Sequence, residues 1–217
     1  MQDLILNYKN HCNSMNQLFG TTKFIFNEQL LKQNASDIKY ILVGDNPGSQ
    51  EKEKFEFLIG NAGIVTRLFF EKFLVDSFDI NVLCLNKTPL FTPKTEDLKS
   101  YYERNCKALL NSQIFMADLI DNLSVRIDCP VIIMGLSGCR SSTGKWDFDS
   151  HNKSYVFIPF FNQIKTKFTH KQDKLFLVKH FSRNSFFYDF TINDYRTEPT
   201  NKFFAIGRRY RDELFNV

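Results

Sequence analysis

No two of the five cysteines, Cys12, Cys84, Cys106, Cys129 and Cys139, stand at C-x-x-C spacing. Zinc and iron–sulfur sites ordinarily draw on that spacing, so no metal is expected, and an odd, scattered set reads as reduced thiols of an intracellular protein. No apolar run approaches the ~20 residues that span a bilayer, so no membrane association is expected. The stretch MQDLILNYKN lacks the basic-then-apolar order of a secretory leader, and the expected place is cytoplasmic, with nucleoid or nucleus left open. Charge of one sign is also scarce, at a net of +4, but it is uneven: residues 151–217 hold 12 Lys/Arg against 6 Asp/Glu, and residues 1–150 hold 16 against 18. A basic last third suits a polyanionic partner, and it is equally what a solvated lysine-rich surface looks like.

What the chain does have is phenylalanine, 24 in 217 residues, enough for a bulky aromatic core in one domain. Four short apolar runs read as strands covered on both faces: KYILVG (39–44), INVLCLN (80–86), CPVIIMG (129–135) and KLFLVKH (174–180). Segments of helical spacing lie between them. GNAGIVTRLFFEKFLVD is expected to place Ile64, Leu68, Phe69 and Phe73 on one side. TEDLKSYYERNCKALLNSQIFMADLIDNL opens with Thr95 as the expected N-cap, and its Leu98, Tyr102, Leu109, Phe115 and Leu119 recur at steps of three and four. One or two helices are expected in the first 35 residues, and 138–173 reads mainly as loop. Strands alternating with helices predict parallel β-α-β units, hence an α/β sandwich, over residues 1–217 as a single domain.

In open parallel sheets, ligands bind beyond the carboxyl ends of the strands. The first run ends in Gly44-Asp45-Asn46-Pro47-Gly48, the second in Asn86-Lys87-Thr88-Pro89, the third in Gly135-Leu136-Ser137-Gly138, the fourth in His180-Phe181-Ser182-Arg183-Asn184. Each has an ordinary reading. Asp-Asn-Pro-Gly is a good β-turn, Asn86 can satisfy its own backbone, and a histidine at a strand end is ordinarily a hydrogen-bonded structural residue. Their coincidence on one edge is the signal. GCRSSTGKW suggests a phosphate loop but fails on spacing, with five residues between Gly138 and Gly144, and Trp146 stands where a magnesium-binding hydroxyl is needed.

These motifs, in this order, resemble the uracil-DNA glycosylase superfamily. GDNPG is similar to its water-activating motif, LNKTPLFTP to the segment whose Asn reads the base, and HFSRN to the His-Pro-Ser motif that faces DNA and the leaving base; FLIGNAG (57–63) resembles the Phe-Val-Gly-Arg-Ala-Gly run of some branches. The likeness covers a motif-bearing core of 39–185, after a helical segment of 1–35. It implies a three-layer α/β/α sandwich around a four-stranded parallel sheet, and a monofunctional DNA N-glycosylase, a repair hydrolase acting on a flipped base, uracil first. It implies catalytic roles for Asp45, Asn46 and His180, substrate binding by Gly44, Pro47, Gly48, Phe57 and Asn86, and DNA contacts from Ser182, Arg183 and Asn184. Phe57 is the nearest stacking aromatic, while strict alignment on IGNAG puts Leu58 there, and Phe181 stands where the family has proline. No cofactor is needed, and a monomer is expected.

Elementary chemistry agrees with those roles. Cleaving a base from deoxyribose passes through an oxocarbenium-like sugar and a base anion. Asp45 is suited to act as base or as a charge beside the sugar cation, Asn46 only to orient water, and His180 to donate to the base O2. Asn86 matches the N3–H donor and O4 acceptor of uracil and mismatches cytosine. A full charge outweighs an oriented amide, so Asp45→Ala is expected to lose more rate than Asn46→Ala. The sequence also admits two other readings: a catalytically inactive nucleic-acid-binding relative on the same fold, or an enzyme acting on free nucleosides or nucleotides. Lys165, Lys167, Lys171 and Lys179 are expected to grip phosphates in the first two.

Overall fold

The four apolar runs form the sheet because each buries both of its faces. In the computed structural model, which describes residues 1–136, 156–182, 185–192 and 198–216 (side chains at 102–105, 191 and 192 excepted), they become β1 (Tyr40–Gly44), β2 (Val82–Asn86), β3 (Val131–Met134) and β4 (Leu175–Val178). All pairings are parallel, in the order β2-β1-β3-β4, with Gly44 opposite Asn86 in the register. The side-chain period of two then divides the core. Ile41, Val43, Leu83, Leu85, Ile133 and Leu177 face one layer, and Leu42, Cys84, Ile132, Met134, Phe176 and Val178 face the other.

Helices cover both faces, giving three layers, α/β/α. The first layer holds α1 (Gln2–Leu18), α5 (Leu98–Ile127) and α6 (Ile158–Phe168). The second holds α3 (Asn61–Phe73) and α7 (Ser185–Ile192), built on Phe69, Phe70, Phe78, Phe181, Phe186 and Phe203. Two short helices, α2 (Ser49–Lys54) and α4 (Phe78–Asn81), lie in the first crossover, and α8 (Pro199–Phe215) packs along β4, with Gly207 so close that a Cβ there would meet Phe176 Cβ at 2.9 Å. No helix among the described residues is long and apolar enough to cross a membrane.

Several local expectations are corrected. The stretch 158–168 is helix α6 rather than loop: Phe160, Phe161, Ile164 and Phe168 fall on one face and are buried. The face of α3 is rotated from the one expected. Ile64 and Leu68 are 51% and 63% exposed, while Gly63, Thr66, Phe69 and Phe70 are inside, because the paired rings of Phe69 and Phe70 join the aromatic cluster. Thr95 does not cap α5. It opens a 3-10 turn, Thr95–Asp97, and the backbone N–H of the preceding Lys94 donates to Asp97 Oδ2 at 3.1 Å. The segment before β1 holds α1 and two 3-10 turns, Glu28–Lys32 and Ala35–Asp37.

Three lysines of the basic last third pair away from the strand tips. Lys167 pairs with Asp118 of α5 at 2.9 Å, Lys171 with Asp121, and Lys174 with Asp128 at 3.1 Å. Asp128 and Lys174 stand just before β3 and β4, so these pairs occupy the edge where strands begin. Lys179 is at the tip edge, and it is held by Asp189 of α7 at 2.8 Å.

Candidate active site

Parallel pairing brings the ends of all four strands to one edge, and close packing there requires two glycines. A Cβ on Gly44 would stand 2.6 Å from Asn86 Oδ1, so the amide of Asn86 lies directly over the β1 tip. A Cβ on Gly135, at the end of β3, would stand 2.4 Å from Asp45 Oδ1, and Gly135 has φ +84°, which other residues adopt only under strain. The carboxylate of Asp45 therefore fills the room that Gly135 leaves.

Lys87 joins these tips. Its side chain is 0% exposed. Its ammonium donates to Asp45 Oδ1, to Met134 O at 2.6 Å and to Gly135 O at 2.8 Å, using all three of its protons. The rings of Phe157 and Phe161 lie 4.8 and 5.6 Å away, and their faces favour a cation. The backbone N–H of Lys87 donates to Gly44 O at 2.9 Å. Lys87 is thus the link between β1, β2 and β3. A lysine directly after an apolar strand carries no local signal for that.

Asn46 is held with its oxygen facing outward from its own bonds. The Thr92 hydroxyl donates its one proton to Lys94 O at 2.8 Å, so it accepts from Asn46 Nδ2 at 2.9 Å, and Pro47 O accepts from the same amide at 3.1 Å. That network fixes the amide's orientation and leaves Oδ1 buried with no protein partner. Pro47 is buried, and its carbonyl also accepts from Thr92 N–H at 3.3 Å. Thr92, unnoticed in LNKTPLFTP, is thus the residue that orients Asn46.

Glu51, in α2, clamps the next wall. Its carboxylate accepts from Gly48 N–H and Leu58 N–H, each at 2.6 Å. Burial pushes its carboxyl up, against the pull of the backbone donors of Gly48, Leu58 and Ile59. Leu58 has φ +56°, and its carbonyl accepts from Arg67 Nε at 3.0 Å. Its Cδ2 lies 3.6 Å from the Cβ position of Gly44, beside Asn86, whereas Phe57 is 1% exposed within the second-layer core. The side chain against the β1 tip is therefore Leu58.

Asn86 is buried, and its Nδ2 has no protein partner. His180 completes the edge. Its Nδ1 accepts from Ser182 N–H at 3.1 Å and lies 2.8 Å from Ser182 Oγ, so the neutral ring carries its proton on Nε2. Burial lowers its basicity, with Asp45 pulling it up and Lys87 pushing it down. Phe181 is buried and stacked on Phe186, with centroids 4.2 Å apart, so it anchors the loop inward. Ser182 is half-buried, and Arg183 and Asn184 lie outside the described residues, as do Ser137, Gly138 and the GCRSSTGKW loop.

Gly44, Asp45, Asn86 and His180 thus meet at one edge, with Asn46, Pro47 and Gly48 following directly on the β1 tip. Among the described residues, no group of three or more His, Cys, Asp or Glu is placed to hold a metal. A scan against protein-family models finds no match to this chain, and a search among curated proteins finds none.

Proposed function

We propose that this protein is a monofunctional DNA glycosylase that hydrolyses the bond between deoxyribose and a flipped-out base, with uracil its first substrate. One observation carries the reading: three hydrogen-bonding groups on a single edge are oriented and unused. Asn46 Oδ1 and Asn86 Nδ2 are buried without protein partners, and His180 offers Nε2–H because Nδ1 is occupied. Buried polar groups are ordinarily paired, so such a set fits a polar ligand.

Each group suits one need of the reaction. Asn46 Oδ1 accepts a water proton and orients that water. Asp45 sets a negative charge beside the sugar as its cation develops. His180 donates to O2 of the departing base, where negative charge grows. Asn86 donates through Nδ2 to O4 and accepts N3–H through Oδ1, a pattern that cytosine inverts. Lys87 has all three protons donated and no free lone pair, which favours water over a lysine as nucleophile.

The test is an oligonucleotide with one uracil, incubated with the protein and then treated with alkali. Strand scission is expected, and it should vanish in His180→Ala and in the Asp45→Ala, Asn46→Ala double variant. Salt-sensitive DNA binding with no scission across several damaged bases would replace this reading by a non-catalytic binder. A second reading, hydrolysis of free nucleosides or nucleotides, is favoured by the lysines of the last third, which pair at the opposite edge. Base release from free nucleosides, with no DNA binding at low salt, would establish it.

A further inference from the structure

We propose that Lys87 is a positioning residue of this site: it pins the Asp45 carboxylate against Gly135 as a fixed charge, and Asn46 is left to hold the water. The inference rests on the glycosylase reading for its catalytic part. Its structural part stands on geometry alone.

Three observations carry it. Lys87 is fully buried and bonded on all three protons, one to Asp45 Oδ1 and two to the carbonyls of Met134, the last residue of β3, and of Gly135 after it. A buried ammonium so bound has one position, and so has the carboxylate that shares it. Gly135 offers space only for that carboxylate, because a Cβ there would stand 2.4 Å from Asp45 Oδ1. Asp45 is itself only 12% exposed in its side chain, so bulk water does not screen the pair. The Oδ1 of that carboxylate is already committed to the ammonium, so the contribution of Asp45 at the sugar is its charge. The unpaired acceptor on this tip is Asn46 Oδ1.

His180 reports the arrangement. Among the described residues, the charged groups acting on it are Asp45 from the β1 tip and Lys87 from the β2 tip. Lys179 beside it is turned to Asp189 of α7, and its other near partners, Ser182 and Ser185, are neutral. Neutralising Lys87 leaves Asp45 uncompensated beside the imidazole, and the imidazole then binds its proton more tightly.

The experiment combines His180 proton NMR titration with single-turnover base release in wild type, Lys87→Met, Lys87→Gln and Asp45→Asn. Folded Lys87 variants are expected to move the His180 midpoint up, and Asp45→Asn to move it down. Where base is released, Lys87→Met should cost about 100-fold in rate at nearly unchanged substrate affinity, as a displaced catalytic group does. Adding Asp45→Asn to it should cost less than about 3-fold more, because the two act as one unit. A role confined to filling space would leave the midpoint where it is. Unmoved midpoints in the folded variants, or fully multiplicative rate losses, overturn the proposal. Should neither Lys87 variant fold, Asp45→Asn decides alone, an unmoved midpoint counting against it. Absence of base release from wild type defeats the reading under Proposed function, and the titration still judges this one.

Discussion

Gly63→Ala turns the usual effect of that substitution around. Within a helix, alanine gains roughly 0.5–1 kcal/mol over glycine from backbone entropy. In α3 the new Cβ would stand 2.0 Å from Leu58 O, 2.1 Å from Leu58 C and 2.8 Å from Leu58 Cα. These are backbone atoms, and no flexible side-chain end is available to swing aside. Raising 2.0 Å to even a tight 3.0 Å contact demands a shift of about 1 Å. Leu58 is held on its N–H by Glu51 at 2.6 Å and on its carbonyl by Arg67 at 3.0 Å, so the shift strains or breaks both. Hydrogen bonds to charged groups contribute about 1.5–3 kcal/mol each, and overpacking costs about 1–3 kcal/mol. With partial relaxation, and against a gain of at most about 1 kcal/mol, the balance is a loss of about 2–4 kcal/mol. Urea unfolding measures it. At a slope near 2 kcal/mol per molar the midpoint should fall by about 1–2 M with the slope unchanged. An unchanged or raised midpoint would refute the packing argument, because helix propensity would then have prevailed.

Asp45→Ala should lose more base-release rate than Asn46→Ala in single-turnover assays, and equal or reversed losses would contradict the assignment of charge to Asp45. It should also lose more stability, about 3–5 kcal/mol, because it removes one partner of a buried ion pair. Burial lifts the thiols of Cys12 and Cys84 to about 12 and that of Cys129 to about 11, while Cys106 is exposed. Maleimide labelling with peptide mapping should therefore find Cys106 first among these four, and early labelling of Cys84 would contradict the fold. Burial holds the imidazole of His11 down at about 4, with Nε2 unpartnered and the ring stacked on Phe115 at 3.7 Å. The unfolded chain takes up this proton first, so the His11 contribution is fully present above about pH 6.5 and is lost as pH falls toward 4. His11→Phe should flatten the fall in melting temperature between pH 7 and pH 5, and an unchanged slope would sink that account.

The sheet was legible because strands buried on both faces leave continuous apolar runs, and parallel order follows from the helices between them. The edge where Asn86, Asp45 and His180 meet followed from the same topology. What stayed hidden depends on contacts distant in sequence. Which face of α3 is buried is decided by rings from α7 and α8, so Ile64 and Leu68 looked internal while they are exposed. Helix α6 follows a polar stretch that masks its start. Whether Phe57 or Leu58 lines the β1 tip turns on the positive φ of Leu58, which no propensity for leucine suggests. The basic last third could be counted, but its direction could not, since the partners of Lys167, Lys171 and Lys174 sit more than forty residues away.

The ring of Phe69 lies 5.4 Å from that of Phe181 and 5.4 Å from that of Phe203, and 5.2 Å from that of Phe186. Phe69 stands two residues after Arg67, which secures Leu58, and Phe181 directly follows His180. The Leu58 wall and the His180 loop therefore both rest on one slab of interlocked aromatics. Neither side can yield alone, and hydrogen exchange should find the amides of α3 and of the His180 loop opening together, as a single cooperative patch.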